Sequence, residues 1–291
     1  MEQLKTIEIE TINDINKQDF VKKYYKPQRP VVIKAAARNW PAYEKWTLDY
    51  IKSKGRNKSV PLYDNKPVDA SKKVNEPVAW MKLDEYIDYL LSGKNEYRIF
   101  LYNFLKEIPE LQSDIIYPDL GIRLFKSLPM LFFGGAGSKV FMHYDIDLAN
   151  IFHYHFVGTK TAILAAPDDT PNLYHVPFST ISLEEIDFEN PDIQKYPALK
   201  KVTFYKATLQ HGDMLYMPEG WWHYMIYNTN GFSLSLRGIP THPKNLLEAI
   251  NNVFVVRNFD NAMRKIFGQE WIHYKTKKAY ERVKERELQL V

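Results

Sequence analysis

Cysteine is absent from this chain of 291 residues, which excludes disulfides and thiolate metal ligands together. A bound metal would have to use imidazole, carboxylate or water, a donor set that suits iron, manganese or zinc better than soft ions. The lack of disulfides fits a reducing, cytoplasmic location. Long apolar runs are missing as well: no stretch of about 18 such residues occurs, so no transmembrane helix is expected. The opening MEQLKTIEIETINDINKQDF is broken by charges and lacks the apolar centre of a signal peptide. Neither sign of charge predominates. A net charge of +4 on 39 basic and 35 acidic residues is too balanced to argue for nucleic acid, and neither a nucleic-acid nor a membrane partner is expected.

Aromatic residues are abundant, at 14% with 20 tyrosines. Hydrophobic residues at 45% and charged residues at 25% are ordinary for a globular protein, and a chain this long can bury a core without covalent staples. Without internal repeats or a low-complexity linker, the sequence reads as one continuous unit over 1–240 with a helical C-terminal appendage over 241–291. Strands are expected at 29–34, 59–63 and 96–102, with helical spacing at 46–51, capped by Thr47, and at 83–92. From Met130 the pattern turns to short strands, at 130–133, 139–143, 150–157 and 161–165. Residues 168–200, rich in Asp, Pro and Asn, read as a long surface insertion. Further strands follow at 201–208, 214–217, 223–228 and 232–237, then helical spacing at 248–267 and 271–287. Many short antiparallel strands separated by turns predict a mainly β fold with helical flanks, a barrel or jelly roll.

The chemistry centres on His143-Tyr144-Asp145. Residues i and i+2 of an extended segment project from one face, so His143 and Asp145 can address one ion. A third ligand is offered by His223, in Gly212-Asp213-Met214-Leu215-Tyr216-Met217-Pro218-Glu219-Gly220-Trp221-Trp222-His223. Two imidazoles and one carboxylate leave the other metal positions open, the arrangement associated with non-haem iron(II) oxygenases.

The run GDMLYMPEGWWH resembles the second metal motif of Jumonji-C, cupin-like hydroxylases. The similarity is greatest to the asparaginyl hydroxylase that inhibits the hypoxia-inducible factor and to its bacterial relatives. RPVVIKAAARNWPA, IFLYNFLKEIPEL, FFGGAGSKVFMHYD and DFENPDIQKYP carry the resemblance over most of the chain. It implies a double-stranded β-helix fold, iron(II) held by His143, Asp145 and His223, 2-oxoglutarate as cosubstrate and hydroxylation of a protein or peptide side chain. It also implies that Lys160 holds the distal carboxylate of 2-oxoglutarate and that Asn150 lies near the cosubstrate. It suggests a homodimer through the C-terminal helices, whose apolar Ile250, Val253, Phe254, Met263 and Ile266 could equally pack against their own barrel.

The match has departures. Val140 stands where the family usually has a hydroxyl, and Phe100 where it often has a tyrosine for the distal carboxylate. Tyr102, of the same strand parity, is the expected substitute. Arg237 replaces a common asparagine and shares a strand face with Ser233 and Ser235; it could assist Lys160, bind an acidic substrate or lie exposed at a strand end. If Asn150 faces inwards, Phe152, Tyr154 and Phe156 do too, and His153 and His155 face out. Two alternatives stay open beside the oxygenase: a cupin-like binding protein without turnover, and a metal-dependent cupin enzyme acting on a small metabolite.

Overall fold

The computed structural model describes residues 4–289 apart from 65, 67–70 and 73–75; the outermost residues of both expected units, 1–3 and 290–291, lie outside it. The strands in chain order are Lys5–Glu8 (β1), Thr11–Ile12 (β2), Val31–Ile33 (β3), Ser59–Leu62 (β4), Ala79–Lys82 (β5), Ile99–Tyr102 (β6) and Met130–Gly134 (β7). Then come Lys139–His143 (β8), Asn150–Val157 (β9), Lys160–Ala165 (β10), Thr203–Leu209 (β11), Met214–Met217 (β12), Trp222–Tyr227 (β13) and Gly231–Gly238 (β14). Two sheets face each other, one in the order β1-β11-β10-β13-β8 and the other β2-β3-β12-β9-β14-β7-β6. Pairing is antiparallel except where β1 meets β11 and β2 meets β3, so the expected jelly-roll architecture with helical flanks is the fold.

Three apolar layers result. Between the sheets lies a lumen lined by Val32, Ile151, Ala162, Leu164, Leu215 and Met225. Outside the seven-stranded sheet, helices Lys17–Phe20 (α1), Pro41–Lys45 (α2), Leu48–Lys54 (α3) and Leu83–Leu91 (α4), with Trp46 at the α2–α3 junction, carry Phe20, Trp46, Ile51 and Ile87 onto its outer face. Thr47 caps α3, its side chain accepting from the Tyr50 N–H, a bond that satisfies one of the orphan donors of a helix start.

Residues 168–200 are the first correction. They carry no regular strand, yet Leu173, Tyr174, Leu183, Ile186, Phe188 and Leu199 are buried, forming a second core outside the five-stranded sheet. Part of the insertion also hydrogen-bonds along β8: Tyr144 N–H donates to Thr180 and Ser182 N–H to Met142. A free strand edge is thereby covered. Its polar composition reflects turns, and most of its apolar residues are buried in that core, whereas Phe178 is exposed and packs on Phe259 and Trp271.

The short helix Phe104–Glu107 (α5) precedes β7, and helices Pro243–Asn251 (α6), Arg257–Phe267 (α7) and Gln269–Gln289 (α8) close the described chain. A π-helical turn, Asn252–Val256, joins α6 to α7. The α7–α8 pair is locked by buried Asp260, which accepts from Lys275 at 2.6 Å, Trp271 at 2.7 Å and Arg264 at 2.8 Å. Ala279 and Val283 of α8 join the core under the insertion.

Candidate metal centre

The strand pairing brings the predicted metal residues together. His143 ends β8 directly opposite His223 on β13, and Asp145 follows two residues later, where a turn closes through the Leu148 N–H to its carbonyl. A bulge in β8 shifts the register between His223 and Met225; such irregularities re-aim side chains beside active sites. One ligand atom from each of His143, Asp145 and His223 lies within 4.8 Å of the others. His143 Nδ1 is bonded to the Phe141 carbonyl at 2.7 Å and His223 Nδ1 to the Trp221 carbonyl at 3.1 Å. Each Nδ1–H is thus spent on the backbone, which leaves both Nε2 lone pairs for an ion.

The protonation states suit a cation. Burial, reinforced by the neighbouring imidazole of His143, pushes His223 down to about 3, and burial also lowers His143. Burial would raise the Asp145 carboxyl, but the Arg237 guanidinium, then His223 and His143, override it and hold it at about 2. Near neutral pH the trio is therefore two neutral imidazoles and one carboxylate, the ligand-ready forms. These residues fit a divalent metal with open positions.

Arg237 is buried. Its Nη1 lies 3.3 Å from Asp145 Oδ2, its Nε donates to Asp147 at 3.1 Å, and its Nη2 also contacts Asp147. Of the roles left open for it, the structure shows a paired arginine in the lumen, orienting a metal-site carboxylate. Asp147 itself was missed, because a single acid in a turn gives no signal.

The trio lies in a cavity of about 700 Å³, a size typical of ligand pockets. Lys160 also lines it, two per cent exposed, on the inward parity of Ala162 and Leu164. Its Nζ lies 3.2 Å from His153 Nε2 and 3.3 Å from the Tyr227 hydroxyl, with the Tyr227 ring centre at 4.3 Å. Burial, then the charge of Arg98, lowers Lys160 to about 7.

Two expected cosubstrate residues fall elsewhere. Asn150 faces away from the cavity: it accepts from the Tyr216 hydroxyl at 2.8 Å and donates to Glu219 at 3.0 Å. Glu219 in turn holds the Thr241 N–H and the Asn245 amide, so Asn150 helps to seat the start of the C-terminal helices. With it the whole parity of β9 reverses. Phe152, Tyr154 and Phe156 pack outwards on Phe20, Trp40 and Trp46, where the helical layer has room for rings. His153 and His155 face the lumen, held by Ser235 and Ser233 of β14. Tyr102 is the other correction. Three residues of β6 span two of β7, since Ile99 pairs with Phe133 and Tyr102 with Leu131. The irregularity separates Tyr102 from the face of Phe100, which lines the cavity, and Tyr102 packs against Phe104 at 4.6 Å.

Phe100 and Val140 both line the cavity, so the family's two hydroxyls are absent from its wall at those positions. Sequence reasoning also missed part of the cavity wall. Thr180 and Glu184 of the insertion, Asn252 and Arg257 of the C-terminal region, and Asp64 and Val78 near the β4–β5 pair all line the same cavity.

This fold and site define a class. The profile of the cupin-like domain family matches residues 17–260, and the chain belongs to that family, among its Jumonji C members. Jumonji C domain-containing protein 5 of Drosophila melanogaster is 31% identical over 234 residues, 75% of this chain and 56% of that protein. Lysine-specific demethylase 8 of Xenopus tropicalis is 30% identical over 224 residues, 73% of this chain and 48% of that protein. The chain thus spans about half the length of these two relatives. tRNA wybutosine-synthesizing protein 5 of Gallus gallus is 26% identical over 252 residues, 79% of this chain and 76% of that protein. These relatives support the Jumonji C group broadly, and not the asparaginyl hydroxylases specifically as the motifs had suggested. Among the described residues, no helix is long and apolar enough to cross a membrane.

Proposed function

We propose that the protein is an iron(II)- and 2-oxoglutarate-dependent oxygenase that hydroxylates a protein or peptide side chain. One observation carries the reading: a His143/Asp145/His223 metal site and the buried ammonium of Lys160 share one cavity. When bound, iron(II) and 2-oxoglutarate would supply the oxidising chemistry, consuming dioxygen and releasing succinate and carbon dioxide. The chain's own residues bind and orient. His143, Asp145 and His223 hold the metal on one side, Arg237 keeps Asp145 ionised, and Lys160 takes the far carboxylate in a charge-assisted bond. The lumen walls of Ile151, Met217 and Met225 keep bulk water from the reacting end. Relatives named as lysine- and arginine-specific demethylases support a polypeptide substrate, because hydroxylation of an N-methyl group is also insertion of oxygen into a C–H bond. The balanced charge favours polypeptide over nucleic acid, although three of the relatives are named for tRNA wybutosine synthesis.

Purified protein supplied with iron(II), ascorbate and 2-oxoglutarate is expected to release succinate. A second reading is motivated by Phe100 and Val140, whose apolar side chains line the cavity: a barrel that binds its ligands without turnover. Calorimetry with 2-oxoglutarate and manganese(II) separates the two, since binding without succinate release supports the second and no binding rejects the first.

The same proposal includes a homodimer. Leu247, Ile250, Phe254, Val255 and Ile266 of the α6–α7 region are exposed, an apolar row that a second copy would cover. Light scattering should give twice the chain mass, reduced to one by Phe254→Glu; a monomeric wild type sinks this part.

A further inference from the structure

Among the basic residues that line the cavity, Lys160 and Arg98 are buried without a directly paired carboxylate among the described residues, and of these two only Lys160 has a role so far. Arg98, immediately before β6, is five per cent exposed and lines the same cavity as Lys160, Tyr227 and His143. Its backbone pairs with Tyr63 across an isolated bridge, which fixes the strand parity it shares with Phe100. The guanidinium stands 6.0 Å from the Phe100 ring centre. Among the described residues its one side-chain hydrogen bond is a long one, 3.3 Å from Nη2 to the Asp64 carbonyl. Its Nε is buried without a partner. Neither Arg98 nor Lys160 forms an ion pair with a described residue.

The charge of Asp64, which also lines the cavity, reaches Arg98 without a direct ion pair; a buried cation with no directly paired carboxylate is costly, and two in one cavity more so. The contrast with Arg237, which has two carboxylates, is direct. Arg98 and Lys160 also feel each other's charge. An anion between them would relieve both and give Arg98 the partner its Nε lacks. Geometry indicates which anion. Lys160 pairs with Tyr227, four residues along β13 from His223, or roughly 13 Å by strand rise. Lys160 and Arg98 line the same cavity as the metal trio, so an acid held by them with its other end at the metal would be a short dicarboxylate.

We infer that Arg98 is a second anchor for the far carboxylate of the cosubstrate, bracketing it with Lys160 and standing in for the hydroxyls lost at Phe100 and Val140. The inference rests on the oxygenase reading and adds the residue that makes the cavity selective for a 2-oxo diacid. Arg98 makes no hydrogen bond or ion pair with the metal trio, although its charge reaches His143, so its main effect falls on cosubstrate affinity.

The test is calorimetry on manganese(II)-loaded protein with 2-oxoglutarate and with 2-oxobutyrate, which keeps the chelating end and lacks the far carboxylate. Wild type should prefer 2-oxoglutarate by more than 100-fold. Arg98→Met should shrink that preference at least tenfold while 2-oxobutyrate and manganese(II) affinities stay within threefold, and Arg98→Lys should restore part of it. Melting curves supply a readout that a structural arginine would move the opposite way. Ligand-free Arg98→Met should melt no lower than wild type, and 2-oxoglutarate should raise its melting temperature by less. If Arg98→Met and Arg98→Lys both keep the full preference, the inference is overturned; a drop in melting temperature with unchanged preference assigns Arg98 to the scaffold. Absence of 2-oxoglutarate binding by wild type would reject the oxygenase reading and this inference with it.

Discussion

The two ends of the lumen treat charge in opposite ways. At the metal end every charge has a partner: Asp145 and Asp147 both face Arg237, and the two histidines are neutral, which leaves one net negative charge for a cation. At the other end Lys160 and Arg98 are buried beside neutral His153 and Tyr227, with no carboxylate paired to either among the described residues. The balanced end is organised before anything binds, as a preformed metal site requires. The unbalanced end is held in a costly state that an incoming anion would relieve, so folding free energy is exchanged for ligand affinity. Paired charges at the metal end build structure; under the proposed reading, the two cations at the other end would take their partner from a ligand.

The largest break in that comparison comes from Asp145→Ala. Loss of outer partners alone costs about 10–100-fold in metal affinity, so loss of the ligand itself should lower succinate release by at least about 100-fold. Retained turnover in a mass-spectrometric succinate assay would discredit the trio. Lys160→Met comes next. Removing one member of a buried charge pair costs about 2–5 kcal/mol, so 2-oxoglutarate affinity should fall by roughly 30-fold or more. The same variant should melt higher than wild type when empty, because it removes an uncompensated cation. Asp260→Ala should do the reverse, losing about 3–5 kcal/mol by stranding Lys275 and Arg264. Melting shifts of the same sign in the two variants would dissolve the distinction between paired and unpaired charge.

Much of this was legible in the sequence, for identifiable reasons. The metal residues could be read because local spacing encodes them: i and i+2 at the end of a strand, and a histidine behind a Pro-Glu-Gly turn. Strands β7 to β14 could be placed because alternation is a local signal. The facing of β9 could not, since both its faces are buried from Asn150 to Phe156 and an Asn on one face competes with histidines on the other. Only the packing of Trp40 and Trp46 on the even face decides it. Tyr102 failed because strand irregularities are invisible to a period-two argument. Arg98 lies beyond sequence reasoning altogether; its meaning comes from sharing a cavity with Lys160, sixty-two positions away.

Arg237 sharpens the balanced end. A cation near a metal site repels the ion, but Asp147 neutralises this one, so orientation of Asp145 is the larger effect. Arg237→Gln should weaken manganese(II) binding by about tenfold, read by calorimetry or electron paramagnetic resonance. Tighter binding would mean that repulsion wins and that Arg237 acts as a brake on metal uptake.

The smallest effect is a pH dependence at the unbalanced end. In the empty protein Lys160 sits at about 7, against an ordinary lysine value of 10.5, because of burial and then Arg98. A carboxylate beside it favours the charged form and raises it again. Above pH 7 binding must therefore draw in a proton, and 2-oxoglutarate affinity should fall as pH rises from 7 to 9, by at most about tenfold per unit. His153 and His155, both lowered by burial and by Lys160, stay neutral across this window and do not mask it. The ligand-free protein responds in the opposite sense. Its folded lysine is the weaker base, so unfolding takes up a proton between about pH 7 and 10.5, and this group's contribution to stability rises with pH there. Calorimetry at pH 8 in two buffers of different ionisation enthalpy should show net uptake approaching one proton per 2-oxoglutarate, and none for Lys160→Met. Equal heats in both buffers for wild type would mean that Lys160 is already charged in the empty cavity and that its charge is balanced there after all.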